Sequence, residues 1–136
     1  MRNIRIKPIE QHLWELVVNS IKAGADNIFI ALHILKSKDL IFIKVSDNAK
    51  SNLPIKLKKG HGLYKFVKVC EGFGGFCEIK QTDEGTDVSG RMCLSVFGEI
   101  DLSEVEKDLR AMVLSNLSVK FAIEIKTDDG VNLYQL

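Results

Sequence analysis

Glu15 and Asn19 lie four positions apart in an otherwise largely apolar segment. If the segment is helical, this spacing places one side chain above the other on the same face. A carboxylate there could activate a water molecule, and a carboxamide oxygen could bind a hard cation such as magnesium. An isolated pair of this kind is more often an ordinary solvated helix face, so its interpretation depends on what else the chain carries.

The run Gly60-His61-Gly62 is a second candidate, because it directly precedes an apolar segment with helical spacing. The first turn of a helix offers unpaired N–H groups and a positive dipole end to an anion, and glycine lets the anion approach closely. Phosphate is the natural ligand, although the same pattern also occurs as simple turn chemistry, and His61 is interpreted as incidental. Asp47, at the end of a predicted strand, could accept a hydrogen bond from a base amino group or could only form a turn.

Three segments have the apolar periodicity of amphipathic helices: residues 9–23, about 61–71 and about 102–116. Pro8 can open the first of these helices and Gly24 can close it. His12 falls on the polar face of this helix. The third helix begins after Asp101, which has the spacing of an N-cap residue.

Apolar runs predict strands around Ile4 and Ile6, over 27–35, 39–46 and 76–81, from Gly85 to near Phe97, and over 120–126 and 131–136. The polar stretch 49–59 is predicted to be a loop. Because most neighbouring strands are joined by hairpin turns, the sequence predicts an α+β fold. We expect a two-layer α/β sandwich with a mostly antiparallel mixed sheet and helices on one face.

The length and composition are those of one ordinary globular domain. The 136 residues include 19 basic and 18 acidic side chains, a net charge of +1, which gives no specific nucleic-acid signal. The longest apolar stretch, Ile28–Leu35, is far shorter than the roughly 18 residues of a membrane span. Cys70, Cys77 and Cys93 form no CxxC pair and are expected to behave as small apolar side chains. We therefore expect a cytoplasmic protein without a membrane helix.

In their order along the chain, these groups resemble the motifs of the GHKL ATPases, a superfamily that includes gyrase B subunits, heat-shock chaperones, histidine-kinase catalytic domains, anti-sigma serine kinases and MutL. The matching segments are Glu15-Leu16-Val17-Val18-Asn19-Ser20, Ala23-Gly24-Ala25, Val45-Ser46-Asp47-Asn48, Gly60-His61-Gly62-Leu63, Gly74-Gly75 and Gly85-Thr86. The resemblance covers about residues 8–97. Glu15 to Ile28 is most similar to MutL, whereas Gly60 to Thr86 is closer to the histidine-kinase and anti-sigma branch.

The resemblance implies the Bergerat-type ATP-binding fold, with ATP and magnesium as cofactors. Glu15 then matches the acidic residue that orients or deprotonates the attacking water, and Asn19 matches the magnesium ligand. Asp47 matches the aspartate that recognises the adenine amino group, and Thr86 matches the threonine whose hydroxyl helps to hold the adenine. The remaining matches form the glycine box that faces the phosphates: Gly60, His61, Gly62 and Leu63.

One motif departs from the family pattern. The family's D-x-G-x-G is written here as Asp47-Asn48-Ala49-Lys50-Ser51, so Ala49 and Ser51 replace both glycines. Although it is not glycine, Ala49 is still predicted to contact the nucleotide. The predicted lid between Asp47 and Gly60 is also short, which favours slow turnover.

The resemblance leads to two functional interpretations. The first is a single-domain ATP-binding protein, with its core at about 8–97 and a C-terminal helix and hairpin at about 101–136, in which slow magnesium-dependent hydrolysis or phosphotransfer involves a protein partner. The alternative is a regulatory, non-hydrolysing interaction module on the same fold with a decayed nucleotide pocket. A third interpretation is an unrelated α+β domain. The expected partners are ATP or ADP and a protein, and the chain could form a homodimer.

Overall fold

The structure is a computed structural model that describes residues 8–50 and 62–135. Its elements in chain order are α1 (Ile9–Lys22), β1 (Asn27–Leu35), a 3-10 turn (Lys36–Lys38), β2 (Leu40–Asp47), α2 (Gly62–Gly72), β3 (Phe76–Thr82), β4 (Gly85–Cys93), α3 (Leu94–Phe97), α4 (Leu102–Leu114), β5 (Lys120–Thr127) and β6 (Gly130–Gln135). The predicted strand around Ile4 and Ile6 and most of the predicted loop 49–59 lie outside the described residues.

The described strands form one sheet in the order β3-β4-β2-β1-β5-β6. β1 runs parallel to β5, and the other neighbouring pairs are antiparallel. β5 therefore lies beside β1 in the middle of the sheet, although it comes from the C-terminal part of the chain. The mixed, mostly antiparallel sheet confirms the predicted fold class.

The two faces of the sheet have different surroundings. Along β2, Ile41, Ile43 and Val45 are buried, whereas the residues between them are only partly covered. Because side chains alternate across a strand, the buried set lies on one face of the sheet. This face shares one core with residues of α1, α2 and α4, so the molecule has the predicted two layers.

Helix α1 is held by a buried stripe and ended by a glycine. The stripe consists of residues at helical spacing: Ile9, Leu13, Leu16, Val17 and Ser20. At the C-terminal end, the Gly24 N–H donates to the Ile21 carbonyl and the Ala25 N–H donates to the Ser20 carbonyl, both at 3.0 Å. This pair of bonds needs a left-handed residue, and Gly24 has φ +96°. The chain consequently turns back at once towards β1.

Two details differ from the sequence-based expectations. His12 is buried rather than exposed on a polar face, because α1 packs against α2 and α4 as well as against the sheet. The strand predicted to reach Phe97 ends at Cys93, because the Asp39 carboxylate accepts hydrogen bonds from the Ser95 N–H and hydroxyl at 2.6 and 2.7 Å. These bonds stabilise the start of the short helix α3. No helix within the described ranges is long and apolar enough to span a bilayer.

Candidate functional site

Helix α1 places two polar residues at its C-terminal end, close to the sheet. Ser20 is 5% exposed, and its hydroxyl donates a hydrogen bond of 2.6 Å to Oδ2 of Asp47. The side-chain nitrogen of Asn19 is buried and has no hydrogen-bond partner among the described residues. An unpaired buried amide costs about 1–3 kcal/mol, so its presence calls for a ligand or another explanation. Glu15 lies one helical turn earlier and is partly buried.

Asp47 is the last residue of β2, and the protein itself fixes its carboxylate. Oδ1 accepts hydrogen bonds from the backbone N–H of Ala49 at 3.0 Å and of Thr86 at 3.3 Å, while Oδ2 accepts the bond from Ser20. A carboxylate has about four acceptor positions, and the described part of the chain fills three of them. The described residues therefore leave one acceptor position on Oδ2 open.

The approach of β4 to Asp47 depends on Gly85. Thr86 is the register partner of Asp47, so the preceding residue passes directly over the end of β2. A Cβ atom on Gly85 would lie 1.8 Å from the Asp47 carbonyl oxygen, and Gly85 has φ +154°. Glycine is thus required at this position by both space and backbone conformation, and it allows the Thr86 N–H to reach the carboxylate.

Asn48 fixes the end of β2 against the loop that follows α1. Its side-chain oxygen accepts hydrogen bonds from the N–H groups of Asp26 and Asn27, both at 3.0 Å, and its nitrogen donates to Asp26 at 2.5 Å. The Asp26 carboxylate accepts hydrogen bonds from the side-chain nitrogens of Asn48 and Asn27, and these bonds lower its pKa. The end of β2 and the connection from α1 to β1 are therefore held together beside Asp47.

Ala49 replaces the first glycine of the family's D-x-G-x-G motif, and it still binds the Asp47 carboxylate. Ala49 is 5% exposed, its methyl group belongs to the core, and its N–H donates to Asp47. Leu63 is also buried in the core, and Gly62 is the first residue of α2. Gly60 and His61, the other predicted members of the phosphate-facing box, lie outside the described residues, as does Ser51.

The structure brings part of the predicted site together directly. Asp47 and Thr86 are hydrogen bonded, and Asn19 adjoins the serine that binds Asp47. Sequence reasoning did not assign a role to that residue, Ser20. Its signal is visible in retrospect: Ser20 continues the apolar stripe of α1, so burial of its hydroxyl, and hence a partner, could have been expected. The hydrogen bonds of Asn48 to Asp26 and Asn27 could not be predicted in this way, because they depend on which loops come together in the fold.

A cavity of about 640 Å³ opens at the same end of the sheet. It is lined by residues from the start of β1, the end of β2 and the start of β5: Asn27, Ile28, Phe29, Ser46, Asp47, Asn48, Lys120, Phe121 and Ala122. Neither Ser20 nor Thr86, which hold the Asp47 carboxylate, contributes to this lining. The cavity therefore adjoins the candidate site, which lies between α1, β2 and β4.

The layers, the strand order and the aspartate that ends β2 define a class of fold. The chain shares the fold of a MutL ATPase domain, which is the fold that the sequence resemblance implied. Among solved structures, it is similar to the Aquifex aeolicus MutL ATPase domain complexed with ADP, with 22% sequence identity and a TM-score of 0.61 over 97% of this chain. It is also similar to the N-terminal domain of a DNA repair protein, with 19% identity and a TM-score of 0.64 over 96% of this chain.

These similarities concern the fold. The chain spans 64% of the length of the MutL structure and 53% of the length of the DNA repair structure. No protein-family model and no curated protein sequence matches the chain. The argument for a function therefore rests on the residues of the site.

Proposed function

We propose that the chain binds ATP and ADP, with magnesium, between α1, β2 and β4. The observation that carries the proposal is the Asp47 carboxylate, which three internal donors hold in place while the described residues leave one acceptor position open. An acceptor fixed in this way suits a ligand with a directed amino group. The ADP in the similar MutL structure supports an adenine nucleotide as that ligand.

Adenine fits the remaining acceptor position of Asp47 because its exocyclic amino group is a hydrogen-bond donor. Guanine carries a carbonyl oxygen at the equivalent position, which would bring two acceptors together and leave both unpaired. The hydroxyl of Thr86, next to Asp47 in the sheet register, is the second proposed contact of the base. The site should therefore prefer ATP to GTP.

The phosphates and magnesium are assigned to Asn19 and the start of α2. The side-chain nitrogen of Asn19 is buried and has no partner among the described residues. The amide oxygen and nitrogen exchange places by rotation about the terminal torsion, so this side chain suits an oxygen-bound cation. When bound, magnesium neutralises phosphate charge. The first N–H groups of α2, which begins at Gly62, provide the anion-binding end of a helix.

Glu15 is the proposed catalytic residue for slow hydrolysis. Its carboxylate would accept a proton from a water molecule whose oxygen attacks the γ-phosphorus in line. The new P–O bond forms as the bond from phosphorus to the β,γ-bridging oxygen breaks, which releases ADP and phosphate. Transfer to a side chain of a partner protein would use the same geometry, with the partner's nucleophile in place of water.

One observation favours the non-hydrolysing alternative. The methyl group of Ala49 is part of the core, where the family pattern has glycine, so the backbone after Asp47 has less conformational freedom. A chain of this kind could keep the fold and act as a regulatory module that binds a protein partner. This alternative predicts a folded protein that does not bind nucleotides.

The setting proposed for either function is a single domain in the cytoplasm that acts with a protein partner or as a homodimer. The place of β5 beside β1 supports one domain, because residues after 101 complete the same sheet. Cys70, Cys77 and Cys93 are free thiols, as expected in a reducing compartment.

Calorimetric titration of the full chain with Mg-ATP, Mg-ADP and Mg-GTP tests the proposed function. We expect both adenine nucleotides to bind and Mg-GTP to bind at least about tenfold more weakly, which corresponds to about 1.4 kcal/mol. Repeating the ATP titration with EDTA should weaken binding if magnesium takes part. A folded protein that binds none of the nucleotides would contradict the proposal and support the regulatory alternative.

A further inference from the structure

Two cysteines from different elements meet over a glycine. Cys70 lies in α2 and is fully buried, whereas Cys77, the second residue of β3, is partly buried. Cys77 is the register partner of Gly90 in β4, and a Cβ atom on Gly90 would lie 2.6 Å from the sulfur of Cys70. The Cys70 sulfur and the Phe66 ring therefore fill the space that a side chain at position 90 would take, next to the register position of Cys77.

The two thiols also interact with each other. The neighbouring Cys70 thiol lowers the pKa of the Cys77 thiol. The same contact and burial raise the pKa of the Cys70 thiol. Because the thiolate is the reactive form, Cys77 is the nucleophile of the pair, and the buried Cys70 is the thiol positioned to react with it next.

Cys93 has a different environment and serves as an internal control. Its thiol lies 3.5 Å from the carbonyl oxygen of Gly74, to which it donates. It is also partly buried, as Cys77 is. A reaction that depends only on exposure would thus affect Cys93 and Cys77 alike, whereas a reaction that depends on paired thiols would select Cys70 and Cys77.

We propose that Cys70 and Cys77 are a redox modification site that forms a reversible disulfide when the protein meets hydrogen peroxide. The Cys77 sulfur attacks the peroxide, the O–O bond breaks, and a sulfenic acid and one water molecule form. The Cys70 sulfur then attacks the Cys77 sulfur. The S–S bond forms as the S–O bond breaks, and the hydroxyl group leaves with the Cys70 proton as a second water molecule. Two thiols are oxidised and one hydrogen peroxide molecule is reduced, and a dithiol reductant reverses the change.

The segment between the two cysteines allows the thiols to approach. It contains Gly72, where an added Cβ would meet nothing within 4 Å among the described residues, so the last turn of α2 has room to adjust. Gly75 lies so close to the Arg91 carbonyl oxygen that a Cβ there would be 1.7 Å away, which keeps the start of β3 fixed against β4. Oxidation would therefore join the end of α2 covalently to β3. The proposal does not depend on nucleotide binding.

Tryptic mapping of the wild-type protein tests the proposal directly. Cleavage after Lys68 and Lys80 yields one peptide, residues 69–80, that contains both cysteines, while Cys93 lies in the separate peptide 92–107. After brief treatment of the folded protein with hydrogen peroxide, we expect peptide 69–80 to lose two hydrogen atoms and to resist alkylation. Peptide 92–107 should keep an alkylatable thiol, and dithiothreitol should restore both thiols in peptide 69–80. Digestion after Glu71 and Glu78 should leave the oxidised fragments linked.

Variants separate the roles of the three thiols. Cys93→Ser should form the disulfide as the wild type does, whereas Cys70→Ser should leave Cys77 to gain oxygen atoms because no second thiol is within reach. The proposal is overturned if peptide 69–80 of the wild type gains oxygen without losing hydrogen, or if the disulfide joins Cys93. It is equally overturned if Cys93 is oxidised while Cys70 and Cys77 stay reduced. These outcomes are read from the wild type, so a variant that folds poorly does not affect the decision.

Discussion

Asp47 is held by donors from three separate parts of the chain: Ser20 in α1, Ala49 after β2 and Thr86 in β4. A hydrogen bond to a charged acceptor contributes about 1.5–3 kcal/mol, so the three bonds orient the carboxylate before any ligand arrives. Such preorganisation lowers the entropy that a ligand must lose on binding. Removal of the Ser20 hydroxyl should therefore weaken nucleotide binding through the loss of its hydrogen bond to Asp47.

The roles of Glu15 and Asn19 can be separated by single substitutions. Glu15→Ala should leave Mg-ATP affinity within a few-fold of the wild type and abolish phosphate release, because a group that acts only in the transition state changes kcat without changing ground-state binding. Asn19→Ala should instead weaken the magnesium-dependent part of ATP binding. Phosphate release and nucleotide affinity are measured in parallel, with Gln11→Ala, one turn before Glu15, as the matched control. Unchanged phosphate release from Glu15→Ala would remove Glu15 from the mechanism.

At the scale of elements, the site depends on how closely β4 approaches β2. Gly85→Ala would place a methyl group against the Asp47 carbonyl oxygen and impose a left-handed φ on alanine. We expect a loss of about 3–5 kcal/mol in the free energy of unfolding. Gly130→Ala is the matched control, since Gly130 also begins the second strand of a hairpin and has φ +150°. An added Cβ there meets nothing within 4 Å among the described residues. Gly130→Ala should lower the free energy of unfolding by only about 1–2 kcal/mol.

Urea unfolding of the two glycine variants measures this difference. Equal losses for Gly85→Ala and Gly130→Ala would show that backbone strain alone decides the cost. The close contact between Gly85 and Asp47 would then have no special role in the site.

The contact between α1 and α4 carries a pH dependence of known sign. Burial raises the pKa of the Glu10 carboxyl, and the nearby Asp108 and Glu104 carboxylates raise it further. A pKa raised in the folded state means that stability is present at low pH and is lost as the pH rises past the ordinary value of 4.5. Glu10→Gln should therefore raise the melting temperature at pH 7 by about 1–2 °C and have no effect at pH 3.5.

Thermal melts of the Glu10→Gln protein at both pH values check this expectation. Glu106→Gln, on α4, controls for the general loss of one negative charge. An equal gain from both variants at pH 7 would assign the effect to net charge rather than to the crowded carboxylates around Glu10.

At the scale of the whole molecule, local patterns were predictable and distant pairings were not. The periodicity that predicts a helix over 9–23 lies within the helix itself, and the structure places α1 at Ile9–Lys22. The parallel pairing of β1 with β5 joins segments that are far apart in the chain, so no local signal indicates it. The same holds for the contact of Asp39 with Ser95, which ends β4 early. The same is true of the candidate site. Its residue types could be identified in the sequence, whereas the hydrogen bonds that hold Asp47 form only when the sheet and α1 are assembled.

Mg-ATP affinity of Asp47→Asn, measured by calorimetry beside Asp87→Asn, tests most directly whether Asp47 recognises adenine. Asp87 lies in β4, two positions after Gly85, and pairs with Ser46. Both residues lie on the face of the sheet opposite to Asp47, so Asp87→Asn makes the same chemical change outside the site. We predict that Asp47→Asn loses about 1.5–3 kcal/mol of ATP binding, roughly ten- to a hundredfold in Kd, with a much smaller change for GTP. Asp87→Asn should bind ATP as the wild type does. Equal loss of ATP and GTP binding in Asp47→Asn, or no loss of either, would contradict this role of Asp47.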